Sequence, residues 1–176
     1  GSSRMMGKRI PMRILLVEDD RDLAGYVQRG LEEEAHVVEV CYDGASGLRA
    51  AERAAFDMIV LDVMLPFMDG LEVTRRLAQR SSRTRVVILT MHADEGYVAE
   101  ALRAGAAGYV LKEASAAELA RAIREAAAGR RYLSPPLSER AIEAYSRKAE
   151  GTAMDPYETL TTREREVLQL AAEGCT

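Results

Sequence analysis

The sequence predicts an α/β fold, a doubly wound parallel sheet of five strands with helices on both faces. Five short runs rich in Val, Ile and Leu alternate with amphipathic stretches between residues 13 and 129. Three of these runs are apolar without a break, which is typical of strands covered on both faces. Such alternation favours parallel strands joined by right-handed helical crossovers. The runs lie at residues 14–17, 37–40, 58–61, 86–89 and 109–111.

The elements between these runs have local signals of their own. Glu39 interrupts the second run, so that strand is expected at an edge of the sheet. Asp43, Asp69 and Ser115 are placed to cap the helices that follow them, and Asp69 and Ser115 each have a Glu three residues later. Gly129 follows the alanine-rich last helix and suits its C-terminal end. The sheet-and-helix unit therefore ends near residue 129.

The chain divides into four parts. Residues 1–11 hold an expression remnant and an N-terminal extension, and residues 12–129 form the predicted α/β domain. Residues 130–158 are predicted to be a linker with a helix near 138–149. Residues 159–176 contain a Thr-Thr-Arg-Glu capping box followed by an apolar stripe, which predicts a further helix.

Composition excludes several classes of protein. The 24 Lys and Arg against 28 Asp and Glu give a net charge of −4, unlike a chain that coats nucleic acid. No apolar run approaches the ~18 residues that a membrane span needs. Cys41 and Cys175 form no disulfide or metal-binding pattern and favour a reducing compartment. We therefore expect a cytoplasmic protein with no membrane contact.

Polar residues follow four of the five predicted strands. Glu18 and Asp19 follow the first strand, Asp62 the third, Thr90 the fourth and Lys112 the fifth. The carboxyl ends of parallel strands share one edge, where ligands bind in open α/β sheets. Three carboxylates together would repel one another, and Mg²⁺, which prefers oxygen ligands, relieves that repulsion. One carboxylate could then accept a phosphoryl group, with the lysine and the hydroxyl stabilising its oxygens.

Each of these residues taken alone has an ordinary structural explanation. A carboxylate after a strand is most often a helix cap, a threonine there a turn residue, and a lone lysine a solvated charge. The ordered set of an acidic cluster, an Asp, a Thr and a Lys is far more specific than its members. A separate basic cluster is best explained as a solvated helix face, because no aromatic residues lie within it; it comprises Arg75, Arg76, Arg80, Arg83 and Arg85.

The residues that follow the strands lie within longer motifs. These are LLVEDD at residues 15–20, LDVMLPFMDG at 61–70, LT at 89–90 and GYVLK at 108–112. Over residues 12–129 the chain resembles the receiver domain of two-component response regulators. The resemblance implies a flavodoxin-like sheet with strand order 2-1-3-4-5. It also implies a phosphoryl-accepting switch rather than an enzyme.

The resemblance assigns a phosphoryl acceptor and a metal site. Asp62 corresponds to the phosphoacceptor. Glu18 and Asp19 correspond to the acidic pair that holds Mg²⁺, with Asp19 the more direct ligand. The backbone carbonyl of Met64 corresponds to a further protein ligand, and Asp62 completes the set.

The same resemblance assigns switch residues. Lys112 corresponds to the lysine that binds the phosphoryl oxygens, Thr90 to the switch hydroxyl, and Tyr109 to the aromatic residue whose ring turns inward on activation. Phe67 departs from the family pattern, which has a small residue in this turn. His92, two residues past Thr90, is either a solvated loop residue or one that controls access of hydrolytic water to the site.

Residues 160–174 closely resemble the first helix of the LuxR-type helix-turn-helix domain. This places the chain in the NarL/FixJ subfamily of DNA-binding response regulators, and implies that about 45 residues with the recognition helix are missing. The alternative is simply a capped amphipathic helix. Residues 130–176 carry 7 basic and 8 acidic residues, so this segment alone has too little positive charge to bind DNA.

The predicted function is a phosphorylation-operated switch that controls transcription. A sensor histidine kinase would donate the phosphoryl group to Asp62, and the change would alter homodimerisation or DNA binding through the missing helices. One alternative is a metal-dependent phosphohydrolase, which the lack of a second carboxylate in Asp62-Val63-Met64 disfavours. The other is an interaction module with a vestigial acidic pocket.

Overall fold

The computed structural model describes residues 10–80, 83–140 and 161–173. Within them the predicted alternation of strands and helices is present. The strands are β1 (Arg13–Val17), β2 (Val37–Cys41), β3 (Met58–Leu61), β4 (Arg85–Thr90), β5 (Gly108–Leu111) and β6 (Tyr132–Leu133). The helices are α1 (Arg21–Glu33), α2 (Gly44–Arg53), α3 (Gly70–Arg80), α4 (Glu95–Ala104), α5 (Ala116–Ala127), α6, whose described part is residues 135–140, and α7 (Thr162–Glu173).

The strands form one parallel sheet in the order β2-β1-β3-β4-β5-β6. The predicted order 2-1-3-4-5 is therefore confirmed, and β2 lies at an edge, as Glu39 indicated. The chain changes direction across the sheet between β1 and β3, which is where open α/β sheets form their ligand crevice. The acidic residues after β1 and the aspartate after β3 consequently emerge from neighbouring strands.

The sheet has a sixth strand that the sequence did not predict. Tyr132 and Leu133, placed in the linker by sequence, pair in parallel with the first two residues of β5. The Ser134 N–H donates to the Tyr109 carbonyl at 3.0 Å, and the Ser134 hydroxyl accepts from the Leu111 N–H at 3.0 Å. Two apolar residues are too short a run to predict a strand by pattern. The predicted linker thus begins as part of the sheet.

Two apolar layers enclose the sheet. One layer packs β1, β3, β4 and β5 against α2, α3 and α4, and includes Leu15, Ile59 and Ile88. The other packs the opposite faces of these strands against α1 and α5, and includes Ile14 and Val60. Successive residues of a strand point to opposite faces, so a strand covered on both sides has no room for a polar position. This is the physical reason that the runs are unbroken.

The predicted helix caps are present. The side chains of Asp43, Asp69 and Ser115 each accept a hydrogen bond from the backbone N–H three residues later, at 2.7, 2.9 and 3.1 Å. At the start of α7 the Thr161 hydroxyl accepts from the Glu164 N–H at 3.2 Å, and the Glu164 carboxylate accepts from the Thr161 N–H at 2.8 Å. This reciprocal pair is the capping box that the sequence indicated.

Some expectations lie outside the described residues. They concern residues 1–9, the linker helix beyond residue 140, and residues 174–176 with Cys175. The described part of that linker helix begins at residue 135, three residues earlier than predicted. Among the helices that are described, none combines the length and the apolar character needed to cross a bilayer.

Candidate functional site

The acidic residues of the motifs meet at the carboxyl edge of the sheet. Glu18, Asp19 and Asp62 each offer a carboxylate oxygen, and these oxygens lie within 4.8 Å of one another. Glu18 and Asp62 are buried, with 1% and 5% of their surface exposed, whereas Asp19 is exposed. The Asp62 N–H donates to the Val17 carbonyl at 3.2 Å, which ties the end of β3 to the end of β1. The predicted acidic cluster therefore exists.

Lys112 reaches into this cluster from β5. Its Nζ lies 2.7 Å from Asp62 Oδ2 and 3.0 Å from Glu18 Oε1. The backbone of Lys112 is positioned by a hydrogen bond from its N–H to the Thr90 carbonyl at 2.8 Å. One ammonium facing three carboxylates leaves the cluster short of positive charge, so a further cation would be favoured there.

Burial and pairing set the proton affinities of this cluster. Burial raises the pKa of Glu18, although the hydrogen bond and charge of Lys112 act in the opposite direction. Burial opposes the charge on Lys112, but its hydrogen bonds to Asp62 and Glu18 together raise its pKa. Lys112 is therefore a fixed positive charge beside Asp62 at neutral pH.

The cluster has the properties of a divalent cation site. Glu18 Oε2 is buried and has no hydrogen-bond partner among the described residues. A buried carboxylate oxygen without a partner is costly, and a bound cation would satisfy it. The donor atoms of Glu18, Asp19 and Asp62 are all oxygens, which suits Mg²⁺. The residues present thus fit the ion that the sequence predicted.

Met64 and Phe67 lie on the loop that follows Asp62. The Met64 N–H donates to Asp62 Oδ1 at 3.3 Å, while the role of its carbonyl as a metal ligand stays a prediction. Phe67 is 91% exposed and has a φ of 67°, a conformation that is unfavourable for a bulky residue. Gly70 closes the loop, and a Cβ there would lie 1.9 Å from the Asp62 carbonyl. Only glycine allows this close approach.

Thr90 and Tyr109 are connected through the backbone of His92. The His92 N–H donates to Thr90 Oγ1 at 3.3 Å, and the Tyr109 hydroxyl donates to the His92 carbonyl at 2.6 Å. The Tyr109 ring is fully buried, and burial raises the pKa of its hydroxyl. The ring thus lies inward in this structure. The backbone link through His92 was not predictable from sequence, where its only signal was proximity to Thr90.

The basic cluster on α3 has acidic partners on the surface. Arg75 and Arg76 form ion pairs with Glu72 at 3.3 and 2.9 Å, and Arg80 pairs with Glu52 of α2. All three arginines are about half exposed. These contacts agree with the expectation of a solvated helix face.

Comparison with known proteins agrees with the geometry of the site. Residues 14–124 match the response regulator receiver domain. Among curated proteins, the transcriptional regulatory protein DegU of Brevibacillus brevis is 33% identical over 178 residues, which span 93% of this chain and 75% of that protein. The nitrate/nitrite response regulator NarL of Escherichia coli K12 is 34% identical over 171 residues, or 96% of this chain and 79% of that protein.

A solved structure shows the same relationship in three dimensions. A LuxR-family two-component response regulator from Aurantimonas sp. SI85-9A1 superposes with a TM-score of 0.72 at 33% identity. The match covers 76% of this chain and 97% of that one. The resemblance that the motifs indicated is confirmed. The chain belongs to the response regulators, and it carries the receiver domain of transcriptional regulators of the NarL, DegU and LiaR type.

Proposed function

We propose that Asp62 accepts a phosphoryl group from the phosphohistidine of a sensor kinase and that this controls transcription by the longer protein. The observation that carries the proposal is the placement of the Lys112 ammonium 2.7 Å from a buried Asp62 carboxylate, within a cluster of three carboxylates. A fixed cation beside a buried nucleophile stabilises the charge that a phosphoryl group brings. Positioning and electrostatics of this kind supply most of the catalysis in phosphoryl transfer.

Each residue has a distinct task in this proposal. An Asp62 oxygen forms the new bond to phosphorus as the bond between phosphorus and the donor imidazole nitrogen breaks. Lys112 holds charge on the phosphoryl oxygens. The Thr90 hydroxyl accepts a hydrogen bond from His92, so its own proton is free to be donated to a phosphoryl oxygen. The buried Tyr109 fills the space behind Thr90 and fixes the loop through His92.

The metal assignment rests on the acidic cluster. We assign Mg²⁺ to Glu18, Asp19 and Asp62, with the carbonyl of Met64 as the fourth protein ligand. When bound, the ion would neutralise charge between the carboxylates and the incoming phosphoryl group. The partnerless Glu18 Oε2 supports this assignment, because a cation would satisfy that oxygen.

The proposal extends to the organisation and partners of the protein. Residues 12–129 are the receiver, residues 130–158 a linker that contributes β6 to the sheet, and residues 159–176 the first helix of a LuxR-type DNA-binding domain. DNA contact would come from helices beyond residue 176, and a cytoplasmic homodimer would be the working form. The relatives that support this are named as transcriptional regulators. We expect slow self-dephosphorylation and no turnover of small phosphate esters.

A labelling experiment tests the acceptor. The protein is incubated with acetyl phosphate and Mg²⁺ and run on a gel that retards phosphoproteins. We expect one retarded band that disappears in Asp62→Asn and in excess EDTA. Asp57→Asn is the matched control, since Asp57 is exposed and accepts a backbone hydrogen bond from the N-terminal end of β1. Equal labelling of wild type and Asp62→Asn would overturn the assignment.

A further inference from the structure

The C-terminal helix α7 packs against α4 of the receiver. Val167 is buried and belongs to the same apolar layer as Val98 of α4 and Leu137 of α6, and the three line one small cavity. Leu170, one turn further along α7, packs against this layer as well. The helix that resembles part of a DNA-binding domain is therefore seated on the receiver.

Three polar contacts surround this apolar centre. Glu166 forms an ion pair with Arg103 near the end of α4, with Oε1 and Nε 2.9 Å apart. Arg163 donates to the Gly96 carbonyl at the start of α4 at 3.4 Å. Arg131, which directly precedes β6, donates to the Leu170 carbonyl at 2.6 Å. Both ends of α4 and the added strand thus hold α7 in one position.

The start of α4 is also the end of the loop that contacts the phosphoacceptor site. Asp94 caps α4 by accepting from the Gly96 N–H at 2.6 Å. The ring of Tyr97, in the first turn, lies 4.8 Å from the ring of His92. His92 in turn contacts Thr90 and Tyr109 through its backbone. A continuous chain of contacts therefore runs from the switch hydroxyl to α7.

The direction of the coupling follows from the state of this chain of contacts. With α7 docked, Tyr109 is already buried and Thr90 already has its proton free for a phosphoryl oxygen. The loop needs no rearrangement before it receives the group. We propose that docking of α7 on α4 stabilises the receptive arrangement of Thr90, His92 and Tyr109, so that α7 strengthens phosphorylation of Asp62 rather than opposing it. By linkage, phosphorylation strengthens the docking equally.

This inference rests on the proposed function, so its test uses a phosphoryl analogue on the whole 176-residue chain. Binding of beryllofluoride with Mg²⁺ is measured by ¹⁹F NMR for wild type, Arg103→Glu, Glu166→Arg and Val167→Asp. We expect each variant to bind about three- to tenfold more weakly, in the range of ordinary coupling between sites. Arg103→Glu combined with Glu166→Arg restores the ion pair and should restore affinity. Arg130→Glu reverses a charge in an exposed pair with Glu125 and serves as the control.

The outcomes separate the two claims. If wild type fails to bind beryllofluoride, the proposed function itself fails. If wild type binds and the variants bind as tightly or more tightly, α7 does not favour the receptive arrangement and the inference is overturned. Weaker binding that the double reversal leaves uncorrected would also overturn it, because the loss would not pass through the α4–α7 contact. Circular dichroism verifies that each variant is folded.

Discussion

Replacing Lys112 by Met should strongly destabilise the receiver in the absence of Mg²⁺. The Lys112 ammonium is the only basic group that the described residues place against Glu18 and Asp62. All three side chains are buried or nearly so, with 15%, 2% and 6% exposed. Methionine keeps most of the volume and removes the charge. Two carboxylates would then face each other with no compensating cation.

The geometry sets the size of the effect. At separations of 2.7 and 3.0 Å and an effective dielectric of ~20, each contact contributes about 6 kcal/mol of gross attraction. Several kcal/mol of desolvation per ion offset most of this. Removing one partner of a buried set typically costs about 3–5 kcal/mol. For a domain of this size, that lowers the melting temperature by about 6–20 °C.

Urea unfolding followed by far-ultraviolet circular dichroism measures the effect. We expect Lys112→Met combined with Glu18→Gln to recover about half of the loss, because only one buried charge remains. Millimolar Mg²⁺ should also stabilise Lys112→Met more than wild type, since the ion replaces the lost charge. Arg130→Met, which breaks an exposed ion pair with Glu125, is the control and should have no measurable effect. A loss below about 1 kcal/mol in Lys112→Met without Mg²⁺ would refute this account of the site.

Three further substitutions test other parts of the structure. Ser134→Ala removes the acceptor of the buried Leu111 N–H and should cost about 1–3 kcal/mol in urea unfolding. His36 accepts a hydrogen bond from the Met12 N–H, and burial lowers its pKa below 6.5. Its contribution to stability is thus complete above pH 6.5 and declines as pH falls, a decline that His36→Gln should reduce. Phe67→Gly relieves a left-handed backbone and should stabilise by up to about 1 kcal/mol in thermal unfolding.

Each of these predictions has its own contradicting result. Ser138→Ala removes an exposed hydroxyl one turn further on, and an equal loss there would show that the tie between β5 and the linker adds nothing. A fall in stability from pH 7 to 5 as steep in His36→Gln as in wild type would remove His36 as its source. Phe67→Val should be less stable than wild type, because a β-branched residue is worse in this conformation, and a stable Phe67→Val would refute the strain.

The local pattern of the chain was sufficient for the receiver fold. Strands covered on both faces must be apolar throughout, so the runs at residues 14–17 and 58–61 predicted central parallel strands. The caps at Asp43 and Ser115 satisfy backbone N–H groups within three residues, and such contacts can be read from spacing alone. Parallel topology then placed the strand ends together, which brought Glu18 and Asp62 to one edge before any coordinates were known.

Contacts between distant parts of the chain were decided only by the tertiary structure. Tyr132 and Leu133 form a strand because β5 offers an open edge, and two residues carry no periodicity of their own. The backbone of His92 links Thr90 to Tyr109 through groups that every residue possesses, so no side-chain pattern marks it. The sequence also predicted α7 as a capped amphipathic helix without indicating what its apolar stripe would cover. Its docking on α4 depends on the surfaces that folding brings together, and a helical period specifies a buried face but not the partner that buries it.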